Sequence, residues 1–227
     1  MLKRTVKLGT YDTAANGWTL AACQLSPAEE KTNFVDKPGG DGSWDLSTAL
    51  TDGIPRYNDR TLTVVLECSE GDRQTRETLI RQMVNQLDGM RLDIELPDDP
   101  NHHLNGRLHV ARDYNDLAHA SVTVTATCEP WKYANQETVV SLTASTTAKT
   151  AQLVNNGRRA VVPTIKASGK VKVTGEADVR LEYNSSSLSL STGTYKWPEL
   201  LLTPGTHTLT YSGTGVVDIT YREAVLE

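Results

Sequence analysis

No stretch of this sequence approaches the roughly 18 consecutive apolar residues that mark a membrane-spanning helix. Basic residues are in deficit: 23 Lys and Arg face 28 Asp and Glu, for a formal net charge of −5. A general nucleic-acid binder rests its affinity on a basic surface, so that class is disfavoured. Cysteine is scarce, with Cys23, Cys68 and Cys128 an odd set without metal-ligand spacing, read as buried thiols in a reducing setting. The basic start, Met1-Leu2-Lys3-Arg4, has no apolar core or small-residue cleavage site behind it, so no signal peptide is expected. Phosphate-cradling glycine loops, dinucleotide fingerprints and the Gly-x-Ser-x-Gly elbow are all missing. No residue is nominated for catalysis, and no cofactor or metal is expected.

What the chain does have is 227 residues with 38% hydrophobic and 22% charged side chains. That length holds one large domain or two small ones, burying about 70% of the surface of the unfolded chain. The stretch Lys37–Cys68 organises the first half. Pro38-Gly39-Gly40-Asp41-Gly42 is a turn cluster, Trp44–Leu50 a short apolar-polar segment, and Asp52-Gly53-Ile54-Pro55 a second turn. Then Leu62, Val64, Leu66 and Cys68 alternate with Thr61, Thr63, Val65 and Glu67, the period of a half-buried strand. Further strands are expected at residues 2–8, 18–25, 91–96, 104–111 and 121–128. The polar run Ser26–Asp36 reads as an exposed loop.

One helix is predicted over about residues 72–88. Asp72 is its N-cap, Leu79, Ile80, Met83, Val84 and Leu87 form one apolar stripe, and Gly89 stops it. From Ala134 onward no helical period appears. Short alternations are separated by turn signals at Asn155-Asn156-Gly157, Ser168-Gly169, Thr174-Gly175, Asn184-Ser185-Ser186, Pro204-Gly205 and Ser212-Gly213. That spacing predicts a β-sandwich or jelly roll.

Asp98, Asp99, His102 and His103 bring carboxylates and imidazoles together, as a divalent metal would require. Adjacent histidines on a strand point to opposite faces, so a solvated turn is the preferred reading. Asp41, Ser43, Asp45 and Asp52 superficially resemble a calcium loop, but Leu46 and Asp52 stand where glycine and glutamate belong. His109, His119 and His207 are isolated. Trp131, Tyr133, Tyr183, Tyr195, Trp197, Tyr211 and Tyr221 concentrate the aromatics in the second half. Most are expected in strands, with Trp197 beside Pro198 the candidate for an exposed binding aromatic.

The glycine turn, Asp45-Leu46-Ser47, the Arg56-Tyr57-Asn58-Asp59-Arg60 group and the strand after it resemble the N-terminal domain of phage distal tail proteins. The close of that region, Glu129-Pro130-Trp131-Lys132-Tyr133, carries the same resemblance. So do Asn156-Gly157 with Ala160–Ile165, and Leu200–Glu223, for the second domain. The resemblance implies a mainly β chain with one main helix. Residues 1–133 would form a ring-forming β domain, and residues 134–227 a galectin-like β-sandwich. It further implies a structural, non-enzymatic subunit of a long-tailed phage or prophage virion, assembled in the bacterial cytoplasm. Copies would close into a homo-hexameric ring between the tail tube protein and the tail-tip hub protein. DNA would pass through the ring without specific binding, and receptor-binding proteins could attach outside. A closed ring needs two unlike patches on each subunit. Arg56, Tyr57 and Arg60 are the expected contributors, Arg and Tyr being favoured at interface centres. The alternative is a free carbohydrate-binding, lectin-like module, although the polar set of galectins is not found.

Overall fold

The computed structural model describes residues 4–51, 53–69, 71–113, 120–175 and 186–227. The chain divides into two compact units, Met1–Lys132 and Tyr133–Glu227. The first contains β1 (Lys7–Leu8), β2 (Tyr11–Asp12), β3 (Thr19–Leu25), β4 (Phe34–Asp36), β5 (Ser43–Asp45), β6 (Arg60–Cys68), α1 (Arg73–Leu87), β7 (Arg91–Leu96), β8 (Asp99–Asp113) and β9 (Ala120–Ala134). Its main sheet runs β2-β1-β7-β8-β9-β6-β3, while β4 and β5 form a separate two-stranded ribbon. Of the strand expected at residues 2–8, Lys7–Leu8 is in the sheet and ends at the β1–β2 turn of Gly9 and Thr10, residues 4–6 precede it without strand pairing, and residues 2–3 lie outside the described residues.

The predicted alternation in β6 is realised. Leu62, Val64, Leu66 and Cys68 all face inward, directly across from Ala126, Val124, Val122 and Ala120 of β9. Helix α1 covers this core with Ile80, Met83 and Leu87. Each such side chain, fully buried, contributes about 1.5–3 kcal/mol. Asp72 caps the helix, its carboxylate accepting from the Thr75 amide at 2.7 Å. At its other end Gly89 takes a φ of 75°. The Arg112 guanidinium of β8 donates two hydrogen bonds of 2.5 Å to Glu77 on the helix, tying the layers together. Among the described residues no helix is long and apolar enough to cross a membrane.

The second unit contains β10 (Thr138–Ala144), β11 (Lys149–Asn155), β12 (Thr164–Gly175), β13 (Ser186–Leu190), β14 (Gly193–Lys196), β15 (Gly205–Tyr221) and the short β16 (Ala224–Val225). Long strands β12 and β15 pair from Thr164↔Thr220 to Gly175↔Leu209 and form the spine of one sheet. Residues 205–211 of β15 also pair with β11, and residues 215–221 with β10. Likewise β12 takes β14 along its first part and β13 along its second. The sheet thus has two wings whose inner residues, among them Ile165, Val217 and Ile219 of one and Leu153, Val173 and Leu209 of the other, fill a single core.

Between the wings lie Gly169, Gly213 and Gly215, with φ of 114°, 132° and 122°. Side chains rarely adopt such φ, and there is no room for one: a Cβ on Gly213 would lie 2.1 Å from the Lys170 carbonyl oxygen. Ser168-Gly169 and Ser212-Gly213 were expected to be turns. They are instead fold lines inside continuous strands, because glycines facing one another across a ladder bend it without ending it.

Candidate functional site

Between β3 and β6 the chain makes a long excursion that behaves as an arm. Its base is a ladder of backbone contacts. Ser26 donates to the Thr61 carbonyl at 2.9 Å, Lys31 to that of Arg56 at 2.7 Å, and Asn58 to that of Glu29 at 2.8 Å. Farther out, Leu46 donates to the Asn33 carbonyl at 2.8 Å and Asn33 to the Ser47 hydroxyl at 2.8 Å. The ribbon itself pairs Phe34↔Asp45, Val35↔Trp44 and Asp36↔Ser43 and turns at the predicted glycine cluster. All six of its strand residues are exposed.

Order without burial is the arm's distinguishing property. Phe34 is 61% exposed, Trp44 51% and Leu50 98%, with Val35 and Leu46 also exposed. Side chains directly opposite share a face, so Val35 and Trp44 lie on one face and Phe34 on the other. A two-stranded ribbon with no covered face is at best marginally stable in water, and clustered apolar side chains mark a contact surface. The turn cluster gave the signal for this hairpin, and Phe34-Val35-Asp36 and Ser43-Trp44-Asp45 flank it. The polar composition of residues 26–36 hid it as a loop.

The residues expected to form an interface separate. Arg56 is exposed at the arm's base. Tyr57 is half-buried, its ring edge-on to Trp131 with centroids 5.5 Å apart and planes at 79°. Arg60 is a correction: it is 2% exposed and its Nε donates to the Ser26 carbonyl at 2.7 Å. It occupies the same inward parity as Leu62 and Val64, and it anchors the arm from inside. Trp197 is a second correction. At 5% exposed it lies in the core of the second unit with Leu200 and Leu202, so it presents no ring to a ligand. Tyr211 and Tyr221 are buried there too, the Tyr221 hydroxyl donating to the Val154 carbonyl at 2.7 Å. Tyr183, Asn184 and His119 lie outside the described residues.

Asp99 accepts from His102 at 2.8 Å and pairs with Lys132 at 3.2 Å. Burial pushes the Asp99 carboxyl up, but those two partners outweigh it and hold the group below its ordinary value. His103 faces the interior, 3.8 Å from Asp93, so the adjacent imidazoles diverge as the strand geometry demands. Among the described residues no group of three or more His, Cys, Asp or Glu side chains is arranged to hold a metal ion. Cys68 and Cys128 are buried, with burial pushing the Cys128 thiol up to about 12, whereas Cys23, expected to be buried, is exposed on β3.

No protein-family model matches the sequence, and no curated protein matches it. Among solved structures, the Dit (gp 19.1) protein of phage SPP1, presented as a paradigm of the hub adsorption apparatus in phages infecting Gram-positive bacteria, superposes with a TM-score of 0.69. The two chains are 15% identical, and the match covers 96% of this chain and 98% of that one. The resemblance to distal tail proteins read from the sequence is therefore met in three dimensions: over nearly its whole length, the chain has the fold of SPP1 Dit.

Proposed function

We propose that this protein is a structural subunit of a long-tailed phage or prophage tail tip, a distal tail protein that joins copies of itself and its neighbours and catalyses nothing. Residues 1–132 build the ring, and residues 133–227 form a galectin-like domain outside it. The tail tube protein and the tail-tip hub protein flank the ring, DNA passes through it, and receptor-binding proteins attach to the second domain. The fold shared with SPP1 Dit supports the assignment to this class of assembly.

The observation that carries the reading is the arm. A hydrogen-bonded ribbon displaying Phe34 and Trp44 to solvent, with Leu46 and Leu50 exposed farther along the same arm, is a surface built for another chain. A hexameric ring supplies that chain through a heterologous contact repeated around the axis. The lectin alternative has lost its leading residue, since Trp197 is buried.

Light scattering on the purified full chain tests the proposal, with negative-stain images of the same sample. Closed rings with the mass of several subunits are expected. A monomer at every concentration, with measurable affinity for glycans, would replace this reading with the lectin.

A further inference from the structure

The dipeptide Asn-Gly occurs three times in the chain, at Asn16-Gly17, Asn105-Gly106 and Asn156-Gly157. Glycine leaves its own backbone nitrogen uncrowded, so that nitrogen can reach the side-chain carbonyl of the preceding asparagine wherever the backbone is free to bend. The structure treats the three pairs differently.

Asn105 is locked in the sheet. It lies on β8 directly across from Asp93 of β7, its Nδ2 donates to Asp93 at 2.7 Å, and its Oδ1 accepts from Arg91 Nε at 2.6 Å. A Cβ on Gly106 would come within 2.6 Å of Cys128 Sγ, which leaves the backbone no room to swing. At Asn156 it is the attacking nitrogen that is held. The buried Gly157 N–H donates to Asn155 Oδ1 at 3.0 Å, and Asn156 Nδ2 donates to Glu223 at 3.2 Å. A Cβ on Gly157 would lie 2.7 Å from the Ala224 carbonyl oxygen, so this glycine is boxed in as well.

Asn16-Gly17 escapes these restraints. It lies in the turn between β2 and β3, with Asn16 exposed. Asn16 Nδ2 donates to the Asp12 carbonyl at 2.7 Å, which still leaves the side-chain carbonyl carbon open to attack. Gly17 has a φ of 83°, and its N–H makes only a long bond of 3.2 Å to the Ala14 carbonyl. A Cβ there would meet nothing closer than the tip of Leu79 at 3.9 Å. An exposed turn of this kind opens locally at small cost, whereas a central ladder opens only with much of the fold.

We propose that Asn16 is a site of spontaneous covalent modification in the folded protein, by cyclisation onto Gly17. The Gly17 nitrogen attacks the Asn16 side-chain carbonyl carbon and a C–N bond forms. The bond from that carbon to the side-chain nitrogen breaks, and ammonia leaves with the proton given up by the Gly17 amide. Water then opens the cyclic imide at either carbonyl, leaving aspartate or isoaspartate. No enzyme, oxidant or cofactor enters the balance. Asn16 lines a cleft of about 560 Å³ with Tyr11, Gln86 and Met90 among others, none of the lining side chains being charged. The reaction places a carboxylate in that neutral cleft, on the same turn as the Asp12 carboxylate, which accepts from the Ala15 amide at 3.1 Å. The iso form also lengthens the main chain immediately before the fully buried Trp18.

Peptide mapping by mass spectrometry tests the assignment on the full chain, aged in mildly alkaline buffer and sampled over time. Conversion of amide to acid is expected at Asn16 at least about tenfold faster than at Asn105 or Asn156. The same chain unfolded in urea is expected to convert at all three pairs at similar rates. Equal rates at the three pairs in the folded chain would overturn the proposal, as would an Asn16 that stays intact while folded. A preference for Asn16 that persists unchanged in urea would overturn the structural account. Ion-exchange profiles give a second readout. Asn16→Gln must close a larger ring and reacts far more slowly, so its acidic forms should accumulate much later than those of the unaltered chain. Acidic forms that appear equally fast in both would place the modification elsewhere.

Discussion

A Cβ atom placed on Gly215 would lie 1.8 Å from the carbonyl oxygen of Ser168 across the ladder of the second unit. Gly205, with a φ of 119°, has nothing within 4 Å of the same position. The pair separates two costs that usually travel together. Gly205→Ala meets only the backbone penalty of its φ, on the order of 1–3 kcal/mol. Gly215→Ala adds a collision with backbone that cannot rotate away, and its loss should exceed that of Gly205→Ala by at least ~2 kcal/mol. Urea unfolding of the full chain measures both, and equal losses would mean that the sheet does not bend where we place the fold line.

In the first unit Gly106 faces Cys128. A Cβ there would come within 2.6 Å of the cysteine sulfur and 3.1 Å of the Thr127 carbonyl oxygen. Gly106→Ala should cost about 1–3 kcal/mol by overpacking. Adding Cys128→Ala removes the sulfur, so the double variant should be more stable than the sum of the single losses predicts. Strict additivity in denaturant unfolding would contradict the contact.

Acid should weaken the fold through its structural carboxylates. Asp12 is held below its ordinary value by the Thr5 hydroxyl, Asp72 by Thr75, Glu77 by Arg112 and Asp88 by the Val110 amide. A group whose folded pKa lies below its unfolded one adds stability that is present above the unfolded value and disappears as pH falls through the folded one. With unfolded values near 4, thermal midpoints should drop below about pH 4. Asp72→Asn keeps a capping oxygen and cannot titrate in that range, so its decline should be shallower. A midpoint unchanged between about pH 5 and pH 3 would remove these groups from the account.

The arm predicts a separation of folding from assembly. Phe34→Ser, Trp44→Ser and Leu50→Ser alter exposed side chains, so each should shift unfolding by no more than about 0.5 kcal/mol. Together they should convert the assembled particle to single chains by light scattering. Large losses of stability in the monomer would mean that the ribbon packs on its own subunit.

Local pattern made part of this protein readable. The alternation Leu62–Cys68 and the stripe Ile80, Met83, Leu87 each survive in the structure, because both periods arise within one element and need no knowledge of its neighbours. Arg60 carries a signal legible in the sequence: two residues before Leu62, it lies on the inward parity of the strand it begins. Trp197 was hidden for the opposite reason. Its neighbour Pro198 suggests an exposed turn, whereas the core it joins is filled by residues from strands far along the chain, among them Leu153, Ile165 and Ile219. The fold-line glycines were misread because Ser-Gly is the same dipeptide whether a strand reverses or only bends. What distinguishes the two is the partner across the ladder, Gly215 for Gly169, which lies far along the chain.

The position of β15 bears on how the protein is made. This strand pairs with β10, β11 and β12, joining Thr138 to Tyr221, so β10 and β11 gain this ladder, and β12 its second side beyond β13 and β14, only when it arrives. A ribosome that has released everything up to Leu202 has delivered most of the second unit's sequence and none of its central ladder. Until the final segment emerges, the earlier strands present open edges to the surroundings, and translation that pauses there exposes them to aggregation.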